Sequence, residues 1–184
     1  HSATGAQPNG TTGYADTKVV PSTVLSTTST HMSFYSRTNS TLSVPYEMGV
    51  VSNTTRYHLL CCGRTLDNIS AFFHQGFTYQ STTVYPYNGL FLGSRIATGG
   101  ANLFEYRNSV LLTPSAGSGG VAGTSGTIPF AIFIGAANNS GAGGTNFSNK
   151  ECAFASIGDG LTYQDNINLY TAVQKFQGTL NRQV

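Results

Sequence analysis

The stretch from Asn88 to Thr113, NGLFLGSRIATGGANLFEYRNSVLLT, decides the fold. Asn88-Gly89 is a strong hairpin-turn signal, because both central residues of a tight type I′ turn need a positive φ. Leu90 to Ile96 follows as a short β-favouring run. Leu103 to Tyr106 and Val110 to Thr113 then read as a hairpin around Arg107-Asn108-Ser109. Short strands separated by turn signals at a spacing of roughly 8–12 residues mark a β-sandwich or barrel.

The same grammar extends upstream. Met32 to Arg37 alternates, with Met32, Phe34 and Ser36 on one face. Tyr46 to Val51 and Arg56 to Cys62 flank the polar turn Ser52-Asn53-Thr54-Thr55. Ile69 to Phe73 comes next, then a Thr- and Tyr-rich stretch that ends at Tyr87. Residues 1–30 are polar and turn-rich, punctuated by Asn9-Gly10 and Val20-Pro21.

Downstream, Ser115 to Gly126 is a Gly/Ser/Ala loop of low complexity. Ile128 to Ala136 is the most apolar stretch and predicts a strand buried on both faces. Asn138 to Asn146 reads as a second glycine loop, and Cys152 to Ile157 as another strand. After Leu161 the period changes. Thr162 is an N-cap with Asp165 at the third helical position, the spacing of a capping box. Ile167, Tyr170, Val173 and Phe176 form an apolar stripe, flanked by Leu169 and Ala172, and Gly178 is the expected stop. The expectation is one all-β domain over 1–184, a two-sheet antiparallel sandwich with a single helix over 162–178.

Composition agrees. Only 9% of the 184 residues are charged and 39% are hydrophobic, while 11 Phe and 10 Tyr supply core material. Disordered chains combine low hydrophobicity with high net charge, and helical bundles draw on charged helix formers, so both are excluded. Apolar runs fall far short of a membrane span, so no membrane insertion is expected. Net charge is +2, from nine Lys and Arg against seven Asp and Glu, without a basic cluster. Nucleic-acid binding needs converging cations and is not expected. No charged segment followed by an apolar one marks a secretory leader, and the start at His1 suggests a processed chain or part of a longer one. The six N-x-S/T sequons are what a chain this rich in Asn, Ser and Thr produces by chance.

Three cysteines cannot complete a disulfide framework within one chain. Cys61 and Cys62 are strand neighbours, so one should face inward and the other outward. Small core residues are the simpler expectation, a bridge to Cys152 the alternative. His31, His58 and His74 fall in or beside strands and read as ordinary satisfied or exposed histidines. No G-x-S-x-G element and no metal-ligand spacing is present.

The segment Pro129-Phe130-Ala131-Ile132-Phe133-Ile134-Gly135-Ala136, then Phe147, then Ala153 to Thr162 (AFASIGDGLT) resembles the end of laminin-G-like domains. Those belong to the concanavalin A-like lectin/glucanase superfamily. Tyr170-Thr171-Ala172-Val173-Gln174-Lys175-Phe176 and Leu180-Asn181-Arg182 resemble the variety found in tailed-phage and prophage virion proteins. Gly13 to Thr17, Phe34 to Arg37 and Leu103 to Arg107 sit where that variety has corresponding elements. The resemblance implies a jelly roll whose members bind glycans or act as display modules on fibres, tails or capsids. Fold alone does not choose between these, since lectins, glucanases and spacers share it.

Enzymatic members carry paired carboxylates on one strand, as retaining glycoside hydrolysis requires. The acids here are Asp16, Glu47, Asp67, Glu105, Glu151, Asp159 and Asp165, and no two sit i, i+2 on a strand. No catalytic residue and no cofactor is therefore expected. A loop Ca²⁺ near Asp159 or Asp16 is the minor alternative to a simple turn at Gly158-Asp159-Gly160.

Sugar recognition needs flat aromatic faces and planar hydrogen-bonding groups. Trp is absent, but Tyr79, Tyr85 and Tyr87 alternate in a polar stretch, with Gln80, Asn88 and Arg95 nearby in sequence. These six residues form the candidate ligand platform. The alternative is that the tyrosines pack across strands or against another subunit. The expected role is a non-catalytic module on a virion, tail or fibre surface, with cell-surface glycan or other virion proteins as partners and homo-oligomerisation as an option. A purely structural decoration or assembly domain without a sugar site is the rival.

Overall fold

The computed structural model describes residues 3–39, 42–53, 56–64, 69–74, 77–82, 86–98, 100–114, 119–120 and 128–184. In chain order these contain β1 (Ala15–Asp16), α1 (Pro21–Val24), β2 (Thr30–Ser36), β3 (Met48–Asn53), β4 (Arg56–Cys61), β5 (Ile69–His74), β6 (Phe77–Thr82) and β7 (Gly89–Arg95). The series continues with β8 (Leu103–Arg107), β9 (Val110–Leu111), β10 (Gly119–Gly120), β11 (Phe133–Ile134), β12 (Ala137–Asn139), β13 (Gly144–Thr145), β14 (Cys152–Gly158) and α2 (Tyr163–Thr179).

The strands form two antiparallel sheets. The larger runs β1-β11-β3-β4-β5-β6-β10, with β12 added in parallel beside β3 and β13 paired to β12. The smaller runs β14-β2-β7-β8-β9. Asn108 and Ser109 take φ of 49° and 64°, the paired positive values that a tight β8–β9 turn demands.

Inward side chains of both sheets make one core that includes Met32, Phe34, Met48, Leu60, Phe72 and Phe91. Gly93 lets the sheets approach at their centre. A Cβ there would fall 2.0 Å from Cγ of Phe72 on the opposing sheet.

The helix packs on the outer face of the smaller sheet. Val173 meets Tyr35 and Leu90, with Leu169 and Tyr170 alongside. The capping box forms: Thr162 accepts from the Asp165 backbone N–H, and the Asp165 carboxylate accepts from that of Thr162. The buried stripe is shifted from the expected one, running Asn166, Leu169, Tyr170, Val173, Gln177, while Phe176 is exposed. Two polar residues join it because the sheet offers them carbonyls, Ser109 O to Asn166 and Ala153 O to Gln177. Gly178 does not stop the helix. The left-handed residue is Asn181 (φ 54°), where Arg182 N–H reaches Gln177 O and Asn181 N–H reaches Gly178 O.

The segment 128–136 is buried at Ile128, Ile132, Phe133 and Ala136, but only Phe133–Ile134 is strand. Pro129 has no N–H, and Ile132 spends its backbone on the N-terminal segment, donating to Val19 O and accepting from Thr17 N–H. Gly135, at φ 87°, then turns the chain. Part of the second glycine loop is ordered as the β12–β13 hairpin.

Cys61 and Cys62 take opposite faces as strand neighbours should, yet both are buried, and none of the three cysteines is in a disulfide. Cys62 joins the core between the sheets. Cys61 sits on the other side of the strand near Tyr46 and Arg64. No described helix is long and apolar enough to cross a membrane.

Candidate functional site

Five of the six residues of the expected platform are described, and these five do not share one surface. Tyr79 is 7% exposed, and its hydroxyl donates to Leu112 O between the sheets. Tyr87 is 8% exposed, with its ring against Gly63 and the Lys150 ammonium 5.3 Å from its centroid. Arg95 is buried and points inward, giving Nε to Ala97 O and Nη1 to His74 Nδ1. Asn88 is half-buried, and its carbonyl accepts two bonds from Arg107. Tyr85 lies outside the described residues. Tyr79 thus follows the packing alternative, because its position on β6 shares parity with core residues, and Tyr87, just before β7, is likewise packed into the core. Gln80, one residue on from Tyr79, takes the opposite parity and is half-buried on the outer face of the larger sheet.

That outer face carries an aromatic group outside the expected set. Tyr57 on β4 and Phe73 on β5 have ring centroids 5.7 Å apart at 87°. Tyr46, entering β3 just after Pro45, meets Phe73 from another side at 6.1 Å and 88°. Phe73 pairs with Leu59 and Thr78 across the strands, and Gln80 pairs with Ala71 on the same face. All three rings are half-buried. Leu59, Cys61 and Ala71 lie fully buried on this face, so the rings form the upper layer over an apolar bed. Burial holds the Tyr46 phenol above its ordinary pKa, while nearby Arg64 pulls it back. The signal for this group was strand parity. Tyr57 and Phe73 occupy odd positions, opposite to the inward residues His58, Leu60, Phe72 and His74.

Several titratable groups lie in the interior. Glu47 is buried. Its Oε2 accepts from Cys62 N–H and its Oε1 from Ser148 Oγ, while its backbone bonds Leu60 and Gly135. Burial raises its carboxyl pKa, offset in part by Lys150. Glu105 is buried on the inward face of β8, and burial pushes its pKa well up. Asp16 binds Lys18 through backbone and ammonium, Glu151 pairs with Arg37, and Asp165 caps the helix. Asp67 lies outside the described residues. His31 bonds Asp159 O and Ser156 Oγ. The carbonyl of Asp159 is thereby spent on an imidazole. No group of three metal-ligating side chains occurs among the described residues.

No protein-family model and no curated protein matches the chain. Solved structures share its fold. The CBM40 of a Ruminococcus gnavus IT-sialidase superposes with a TM-score of 0.57 at 12% identity, covering 92% of this chain and all of that one. The same module bound to α2,3 sialyllactose gives 0.55 at 9% identity, over 92% and 100% of the two chains. Domain 4 of AbnA, a GH43 extracellular arabinanase from Geobacillus stearothermophilus in complex with arabinotriose, gives 0.51 at 16% identity, over 91% and 86%. NanB sialidase from Streptococcus pneumoniae gives 0.55 at 10% identity, over 89% of this chain but only 27% of that one. At these identities the likeness is one of fold: a jelly-roll sandwich of the kind carbohydrate-binding modules use.

Proposed function

We propose that this protein is a non-catalytic glycan-binding module whose site is the aromatic group Tyr46, Tyr57 and Phe73 with Gln80 and Arg64 beside it. One observation carries this. Of the two outer sheet faces, the smaller sheet's is covered by α2, while the larger sheet's presents three half-buried rings fixed by right-angle contacts. Ring faces meet the C–H surfaces of a sugar, and an amide and a guanidinium serve its hydroxyl and acidic groups. Fixed rings also lose little side-chain freedom on binding. Solved modules of this fold held α2,3 sialyllactose and arabinotriose, which gives the proposal a precedent in architecture. Among the described acids, Asp165 caps the helix, Asp16 and Glu151 sit in ion pairs, and Glu47 and Glu105 are buried, which favours binding over hydrolysis.

The setting we propose is the surface of a phage-like virion, tail or fibre. It rests on the sequence resemblance and on a surface whose solubility comes from hydroxyls and amides. Gold-labelled antibody on purified particles tests that part separately.

A glycan array tests the site. The intact protein is expected to bind a defined glycan set saturably, and Tyr57→Ala or Gln80→Ala to weaken binding at least tenfold with unchanged circular dichroism. No binding by the folded protein, or undiminished binding by both variants, leaves the purely structural role as the better account.

A further inference from the structure

Strand register carries the outer face of the larger sheet well beyond Phe73. Phe73 pairs with Leu59, Leu59 with Gly49, and Gly49 with Phe133, one row across β5, β4, β3 and β11. Ile134 packs on the core between the sheets, so its neighbour Phe133 takes the outer face. Asp16 opposes Phe133 on β1, and alternation returns Tyr14 to that same face.

Tyr14 and Phe133 make a second aromatic group there. Their ring centroids lie 4.3 Å apart with planes 14° from parallel, and Phe147 stands beside Tyr14 at 6.4 Å. Phe133 is buried, whereas Tyr14 is 44% exposed. A ring seated on a parallel stack is fixed in place, and its exposed surface suits the C–H face of a sugar.

The two groups are joined through the backbone. Tyr46, in contact with Phe73, gives its N–H to Asn146 O at 2.9 Å, and Phe147 is the next residue. The Asn146 side chain is exposed at this junction. Its Nδ2 donates to Val44 O and its Oδ1 accepts from Thr145 Oγ1, which leaves one N–H and one lone pair for a sugar hydroxyl.

Three interstrand steps of about 4.8 Å separate β5 from β11, so the groups lie roughly 14 Å apart, beyond the reach of one sugar ring. We infer that the glycan bound here is a linear oligosaccharide of about four residues, lying across the strands from Phe73 to Tyr14. This rests on the reading of Tyr46, Tyr57 and Phe73 as a glycan site and sets the length of what that site takes. A longer chain engages Tyr14 as a tethered second contact, without a second cost of association.

An array printed with linear gluco-, chito-, arabino- and sialo-oligosaccharides of one to six residues tests it. In the series that binds, affinity is expected to rise at least tenfold from disaccharide to tetrasaccharide. Tyr14→Ala should bring the tetrasaccharide down to the disaccharide's level and leave the disaccharide unchanged. Tyr14→Phe keeps the ring and should bind as the parent does, whereas Tyr57→Ala should weaken every length. Equal affinity at all lengths, which needs no variant to observe, overturns the inference, as does parent-like tetrasaccharide binding by Tyr14→Ala; the site at Tyr57 survives either result. Absence of binding at every length, or parent-like binding by Tyr57→Ala, removes the glycan site itself and this inference with it.

Discussion

His58 and His74 meet edge to face between the sheets, their ring centroids 4.1 Å apart and their planes 78° from each other. Both are buried, and Arg95 donates Nη1 to His74 Nδ1 at 3.0 Å. Burial, with the Arg95 charge adding to it, lowers both imidazole pKa values, that of His58 to about 3, and His58 itself helps to lower that of His74. The folded state therefore holds these rings neutral.

An unfolded histidine takes up its proton near pH 6.5, well above the folded value. Between the two pH values the unfolded chain binds more protons, so stability falls as pH falls from about 6.5 towards 3, by at most ~1.4 kcal/mol per pH unit for each ring. Urea unfolding of parent and His58→Gln should show it. The parent's advantage over the variant is expected to shrink as pH drops from 7 to 4.5. A constant difference would show that His58 titrates alike in both states.

Glu105 acts in the opposite sense. Its folded pKa is raised by burial, so above the ordinary carboxylate range, near 4.5, the unfolded state sheds its proton first. Stability contributed by this group is present below that range and lost as pH rises. Glu105→Gln keeps the shape and removes the titration. It should gain on the parent steadily from pH 5 to 8 in the same urea assay, and a gain independent of pH would contradict the assignment. Between pH 4.5 and 6.5 the histidine and carboxyl slopes oppose each other, so each has to be read from its own variant.

Gly93→Ala should cost about 2–3 kcal/mol, because the new methyl must displace the Phe72 ring rather than solvent. Phe72→Leu in the same chain should recover part of that loss by opening space. Thermal melts of the two single variants and the double variant form the cycle. Strict additivity would mean that the sheets do not meet through this pair.

Thr162→Ala should cost about 1 kcal/mol, by loss of the helix cap. Adding Asp165→Ala should cost little more, since the two bonds are reciprocal and the first substitution already breaks the arrangement. Chemical denaturation checks this. Full additivity would show that each residue acts alone.

How far the sequence spoke depended on the kind of signal. Asn108-Ser109, Thr162 with Asp165, and the strand runs were legible because each is a local demand of backbone geometry. Ile128 to Ile132 was legible as buried but not as irregular, since its partners Thr17 and Val19 lie more than a hundred residues earlier. Tyr79, Tyr87 and Arg95 turn inward for a tertiary reason. Alternation places Tyr79 and Tyr87 on one side of the chain, but which side becomes interior depends on the facing sheet. Gln80 landed on the outer face by the same rule. Tyr57 and Phe73 could have been found by applying that rule to β4 and β5 together. Tyr46 could not, because it lies before β3 begins.

The strand order has a consequence for synthesis. β2 sits between β7 and β14, and β11 sits between β1 and β3, so both sheets are completed by the last third of the chain. An emerging polypeptide thus leaves the larger ladder unfinished until residues near 145, and the smaller until residues near 158, have left the ribosome. The early strands must wait, alone or in the hold of a chaperone, for a partner translated more than a hundred codons later.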